Sequence, residues 1–174
     1  MLPELFHRHS ARTVAGRIVP ACPLYLGAEA VEICEFQLKT EEIMTTSLKQ
    51  MMEAANAAVP KITPVQAREM IAKGNVLVVD VRDAPEIEIS GKVAGAIHVS
   101  RGMLEFRADP ESPYHDKNFD KGKTVILYCA SGGRSALSGK VLKEMGYQEV
   151  YNLGAFKDWA ESGGAVDKPL RPRI

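Results

Sequence analysis

The feature that most constrains this chain is a pair of unbroken apolar runs of strand length, VLVVDVR at 76–82 and TVILYC at 124–129. A strand with one face in water alternates apolar and polar residues. Runs this continuous and this rich in β-branched side chains belong to strands covered on both faces, as in a parallel sheet. Parallel neighbours need crossover segments long enough to climb back over the sheet, and helices usually provide them. Two shorter runs, GAIHV at 95–99 and EVYNL at 149–153, read as further strands. The expectation is an α/β protein with a mainly parallel central sheet flanked by helices.

Helix signals fill the intervals. Ser47 and Gln50 have capping-box spacing, followed by Leu48, Met51, Met52 and Ala55 at helical intervals. Thr63, Pro64 and Gln66 repeat the pattern with proline at the first helical position, and that helix, carrying Val65, Ala67, Met70 and Ile71, should stop at Gly74. After the third strand, SALSGKVLKEMG places Leu137, Val141, Leu142 and Met145 on one expected apolar stripe ending at Gly146. A short helix is expected around Phe156 and Trp159, with the tryptophan in the core. This divides the chain into a poorly ordered extension over 1–43, a leading helix over 44–59, a domain over 60–168 and a tail over 169–174. For the extension, a targeting segment or a start codon placed upstream of Met44 are the alternatives.

Composition narrows the class. The 174 residues suffice for one domain of about 100 to 150 residues with extra chain. Twenty-two basic against twenty-two acidic residues give no net charge, so no global attraction to nucleic acid or an anionic membrane is expected. The apolar stretch from Ile18 to Ala28 is broken by Pro20 and Pro23, short of the roughly 20 residues that span a bilayer. Cys22, Cys34 and Cys129 are too few and too scattered for a disulfide framework or a four-ligand zinc site, which suits a reducing, cytoplasmic setting.

Cys129 closes the third strand, and ligands of open α/β sheets bind at the carboxyl ends of strands. A cysteine there is ordinarily a small hydrophobe. Its neighbours in the chain argue otherwise: Ala130, Ser131, Gly132, Gly133, Arg134 and Ser135 lead directly into a helix. Adjacent glycines let several N–H groups turn inward, the helix adds its positive end, and Arg134 offers a full charge. These features favour a thiolate, and Cys129 is the expected nucleophile. Cys22 and Cys34 have no such context.

In order along the chain, VLVVDVRD with Glu86 shortly after, GKVAGAIHV, YCASGGRS and NLGAFKDWAESGGAV resemble the rhodanese-like sulfurtransferases over about residues 60 to 168. The resemblance implies a three-layer fold and a cysteine persulfide at Cys129, loaded by a donor such as thiosulfate and unloaded by cyanide or a thiol. It implies loop N–H groups around the sulfur, with residues 130–135 holding the donor or thiolate, and no metal or organic cofactor. Its partners would be a small-molecule sulfur donor and acceptor, with a protein acceptor as a variant. Lys92 stands where the family motif usually has histidine, and Ala155 where a second glycine usually follows. Ala130 and Ser131 are neutral where thiosulfate-preferring members often carry an extra cation. The alternatives are a partner-dependent or non-catalytic module, and a cysteine phosphatase or arsenate reductase. Phosphatases resembling this fold have five residues between cysteine and arginine, against four here.

Asp80 and Arg82, two apart at the end of a buried strand, share one side and are expected to pair as structural support. His98 is read as a satisfied structural histidine, and Arg101 and Glu105 as members of a solvated loop.

Overall fold

A computed structural model describes residues 13–14, 17–18 and 45–168. The chain divides into two compact units, Met1–Thr45 and Thr46–Ile174. In the first, β1 (Thr13–Val14) pairs antiparallel with β2 (Arg17–Ile18). Otherwise the extension expected over 1–43, with Cys22 and Cys34, lies outside the described residues, as does the 169–174 tail.

The second unit is built on a four-stranded parallel sheet of β3 (Val76–Asp80), β5 (Ile97–His98), β6 (Thr124–Cys129) and β7 (Val150–Ala155), in the order β5-β3-β6-β7. Alternation along the strands divides the core. Leu77, Val79, Val81, Val125, Leu127 and Cys129 face one side, and Val78, Ile126 and Tyr128 face the other. The first side is covered by α1 (Leu48–Ala58), α4 (Leu104–Ala108) and α5 (Gly133–Glu144), the second by α2 (Pro64–Lys73) and α6 (Phe156–Glu161). The expected layers are present, and Trp159 lies in the second core with its indole N–H donated to Ala165 O at 3.0 Å.

Both capping boxes form, at Ser47–Gln50 and Thr63–Gln66, and α2 ends at Gly74. The expected apolar stripes are less faithful. Leu48, Met51 and Val65 are exposed, and Ala55 and Ala67 are the buried residues of their helices. On α5 the buried face is Ser135, Ala136, Ser138, Gly139 and Leu142; Leu137, Val141 and Met145 lie at its margin. The reason is a close approach. A β-carbon on Gly139 would stand 2.8 Å from Val59 Cγ1, so small residues let α5 settle against the end of α1 and the sheet.

Other elements were not expected, among them α4, which takes Glu105 out of the loop read there, while Arg101 lies in the 3-10 turn Arg101–Met103 just before it. A short helix, α3 (Ala84–Ser90), follows Asp83, whose N–H is accepted by the Glu86 carboxylate at 3.0 Å. A two-stranded antiparallel patch joins β4 (Lys92–Val93) to β8 (Val166–Asp167). There Lys92 donates to Ala96 O at 2.7 Å and pairs with Asp167 at 2.9 Å, so a cation serves as scaffold at this position. The second expected strand is shorter than its apolar run, because the chain turns at Gly95 with φ +75°.

Candidate active site

Moving from β3 to β5 the chain goes one way across the sheet, and moving from β6 to β7 it goes the other. The crevice at such a reversal lies between the carboxyl ends of β3 and β6, where α/β sheets bind ligands. Cys129 ends β6 at that point, with its side chain on the α5 side and buried.

The loop then closes over the sulfur. Gly132, at φ +95°, donates its N–H to Cys129 Sγ at 3.1 Å, and Ser135 Oγ lies 3.6 Å from the same sulfur. The turn depends on glycine twice over, since left-handed backbone disfavours a side chain and a β-carbon there would stand 3.2 Å from Gly154 Cα. Burial pushes the Cys129 thiol up; the Ser135 hydroxyl and the N–H groups of Ser135, Ser131 and Gly132 outweigh it and bring the thiol below its ordinary value. A thiolate surrounded by fixed donors is a nucleophile that needs no general base.

Asn152 fixes the loop, and sequence reasoning passed over it. A shift of register between Leu127 and Tyr128 along the β6–β7 pair sets Asn152 opposite Leu127 and Gly154 opposite Tyr128. Asn152 Oδ1 accepts from Gly154 N–H at 2.9 Å and lies 2.8 Å from Ser135 Oγ, whose one proton it shares with the Cys129 sulfur, and its Nδ2 donates to Gly132 O at 3.1 Å. The one signal was a polar amide inside an apolar strand, EVYNL.

Arg134 has a different setting from the free cation expected. Its Nη1 and Nη2 donate to both Glu86 carboxylate oxygens, at 2.7 and 2.9 Å, and Nη1 also reaches Asp83 at 3.3 Å. The Arg134 bond holds the Glu86 carboxyl down at about 2, and Glu86 raises the guanidinium in turn. Arg134 thus bridges the crevice from α5 to the start of α3, and two carboxylates offset its charge.

Asp80 and Arg82 stand apart from this cluster. Asp80 falls on the Tyr128 side of the sheet, opposite Cys129, and pairs with Arg82 at 2.6 Å while both are buried. His98 Nε2 is hydrogen-bonded to Arg82 O at 2.8 Å, and Arg101 pairs with Glu105 at 2.8 Å. Beside the loop, on the β7 side, opens a cleft of about 560 Å³ walled by Met52 and Asn56 of α1 and Val59 just after it, by Lys61 and Asn152, and by residues 131–133. No signal in the sequence singled out Lys61.

Ser135→Ala should raise the midpoint of the pH profile for Cys129 alkylation, because the hydroxyl is the foremost group lowering the thiol. The depressed thiol reacts in the wild type at pH values where the variant is still protonated. An unshifted midpoint would assign the thiolate to the backbone alone.

The described residues thus form a parallel α/β domain whose glycine-containing loop folds around the cysteine that ends β6. The chain belongs to the rhodanese-like domain family, whose model matches residues 63–162. Thiosulfate sulfurtransferase GlpE of Coxiella burnetii is 34% identical over 100 residues, covering 57% of this chain and 85% of that protein. A protein of unknown function from Rhodopseudomonas palustris, described as a possible tyrosine phosphatase, is 37% identical with a TM-score of 0.66, covering 72% of this chain and 98% of its own. The polysulfide-sulfur transferase homodimer of Wolinella succinogenes is 28% identical with a TM-score of 0.55, covering 78% and 90% respectively. Among the described residues no helix is long and apolar enough to cross a membrane.

Proposed function

We propose that this domain is a sulfurtransferase in which Cys129 is both nucleophile and sulfur carrier. The observation that carries the reading is the Cys129 sulfur held under the Gly132 N–H at 3.1 Å with Ser135 beside it. The thiolate attacks the outer sulfur of a donor such as thiosulfate, a sulfur–sulfur bond forms at Cys129, the donor's own sulfur–sulfur bond breaks, and sulfite leaves with the electron pair. Cyanide or a thiolate then attacks the terminal sulfur, and Cys129 departs as the thiolate it was. The donors around the sulfur stabilise the negative charge of both resting and loaded states.

A phosphatase is the second reading, favoured by the description attached to the Rhodopseudomonas relative. Two features weigh against it. Four residues separate Cys129 from Arg134, which narrows the ring available to a tetrahedral phosphoryl group. The Arg134 N–H groups that would grip phosphoryl oxygens are engaged by Glu86.

The test is intact-protein mass spectrometry after thiosulfate, with and without cyanide, beside an aryl-phosphate assay. Gain of one sulfur on Cys129 that cyanide removes, with negligible phosphate release, is expected. Phosphatase turnover that depends on Cys129, with no sulfur loaded from any donor, would overturn the proposal. An inert binding module would show neither activity.

A further inference from the structure

The proposed chemistry uses anionic sulfur compounds, yet the cysteine loop has no surplus positive charge to receive them. Arg134 is shared by Glu86 and Asp83, and the loop's Ala130 and Ser131 are neutral. On the other side the cleft is lined by a cation, Lys61, which has no carboxylate partner among the described residues and stands there with Gly132 and Asn152. Its position is fixed by backbone, not by chance. Ile62 N–H donates to Asn152 O and Asn152 N–H to Pro60 O, both at 2.9 Å, and Asn152 in turn holds the loop through Gly132 O. The lysine stem runs over Gly154, where a β-carbon would stand 3.2 Å from Lys61 Cε. Gly154 takes φ +90°, which favours glycine, and so presents no side chain to the lysine.

The cleft is much larger than an inorganic donor needs. Its volume of about 560 Å³ falls in the range of small-molecule sites, and its walls combine an apolar part, Met52 and Val59, with the polar Asn56, Lys61 and Asn152. Gly132 stands between cleft and sulfur, lining the one and donating its N–H to the other. Both α1 and Lys61 precede residues 63–162, so this wall comes from the segment ahead of the family match.

We infer that the cleft between α1 and the Cys129 loop binds the organic part of a sulfur carrier, a small thiol or persulfide bearing a carboxylate, with Lys61 as its counter-ion. This deepens the sulfurtransferase reading and rests on it for the identity of the reaction, while the charge preference can be read without it.

The probes are iodoacetate and iodoacetamide, which alkylate the same thiol and differ in charge, with modification followed on the peptide containing Cys129 in the full-length protein. Lys61→Ala should lower the ratio of iodoacetate to iodoacetamide rate about fivefold, the scale of one exposed ion pair. Lys61→Glu should lower it further, and Lys61→Arg should retain the wild-type ratio. In roughly 1 M salt the difference between wild type and Lys61→Ala should vanish, because screening then reaches about 3 Å. With Cys129 loaded with sulfur, 3-mercaptopropionate should accept it with a higher KM in Lys61→Ala, while 2-mercaptoethanol separates loss of charge from general damage. An alkylation ratio equal in wild type, Lys61→Ala and Lys61→Glu would overturn the inference, and so would equal slowing with both reagents. A wild type that loads no sulfur from any donor but keeps the Lys61-dependent ratio would defeat the sulfurtransferase reading and leave the anion site standing.

Discussion

Cys129→Ser is expected to lose sulfur transfer by more than about a thousandfold, the scale seen when a covalent nucleophile is removed. Serine is nearly isosteric, but its hydroxyl stays protonated under the donors that suffice to ionise a thiol, and it cannot carry a second sulfur. The fold should survive. Cys129 lies at the end of a strand where the serine oxygen can accept the Gly132 N–H that the sulfur now accepts, and Ser135 and Asn152 are within the same network. Steady-state transfer from thiosulfate to cyanide, with thermal melting as the control for folding, decides it. Serine at Cys22 or Cys34 should leave transfer intact, since neither is followed in the sequence by the paired glycines and arginine that follow Cys129. Transfer that persisted in Cys129→Ser would mean that sulfur travels by another route.

The fold was legible where burial left little choice. VLVVD and TVILYC could only be strands covered on both faces, and the same alternation placed Asp80 and Arg82 together. It also fixes which side they occupy, since Asp80 aligns with Tyr128 and so lies across the sheet from Cys129. Helix faces were harder to read from apolar spacing, because α5 packs through Ser135, Gly139 and Leu142, and room selects those residues more than hydrophobicity does. In the site, Cys129 and its glycines announce themselves by being ill suited to plain packing. The setting of Arg134 depends on Glu86, 48 positions earlier, and that of Lys61 on the backbone hydrogen bonds that join Pro60 and Ile62 to Asn152. Neither contact leaves a local mark, so the electrostatic setting of these two cations is decided by tertiary contacts that the chain does not spell out.

The largest loss of stability is expected from Asp80→Ala. Arg82 is held on every side: Nε and Nη2 donate to Asp80, Nη1 to Ser90 Oγ at 2.8 Å and Nη2 to Gly91 O at 2.7 Å, while the guanidinium lies 4.2 Å from the centre of the Phe156 ring. Burial alone would lower the arginine, and Asp80 more than reverses it. Removing the carboxylate leaves a charge in the core with no counter-ion, a change that costs about 3–5 kcal/mol, a large part of the roughly 5–15 kcal/mol that holds a domain folded. Replacing the pair together, Asp80→Leu with Arg82→Met, should cost less than Asp80→Ala alone, because it removes the buried charge along with its partner. The remaining cost is the tie from Arg82 to Ser90 and Gly91, which anchors the end of α3 and with it the segment that carries Glu86 towards Arg134. Urea unfolding of the three proteins gives the order, and a single variant as stable as wild type would show that the pair contributes nothing. Sulfur loading per folded molecule should stay at the wild-type rate in Asp80→Ala, because the side chain faces away from Cys129. A fall in that rate with the fold intact would move Asp80 from the scaffold into the site.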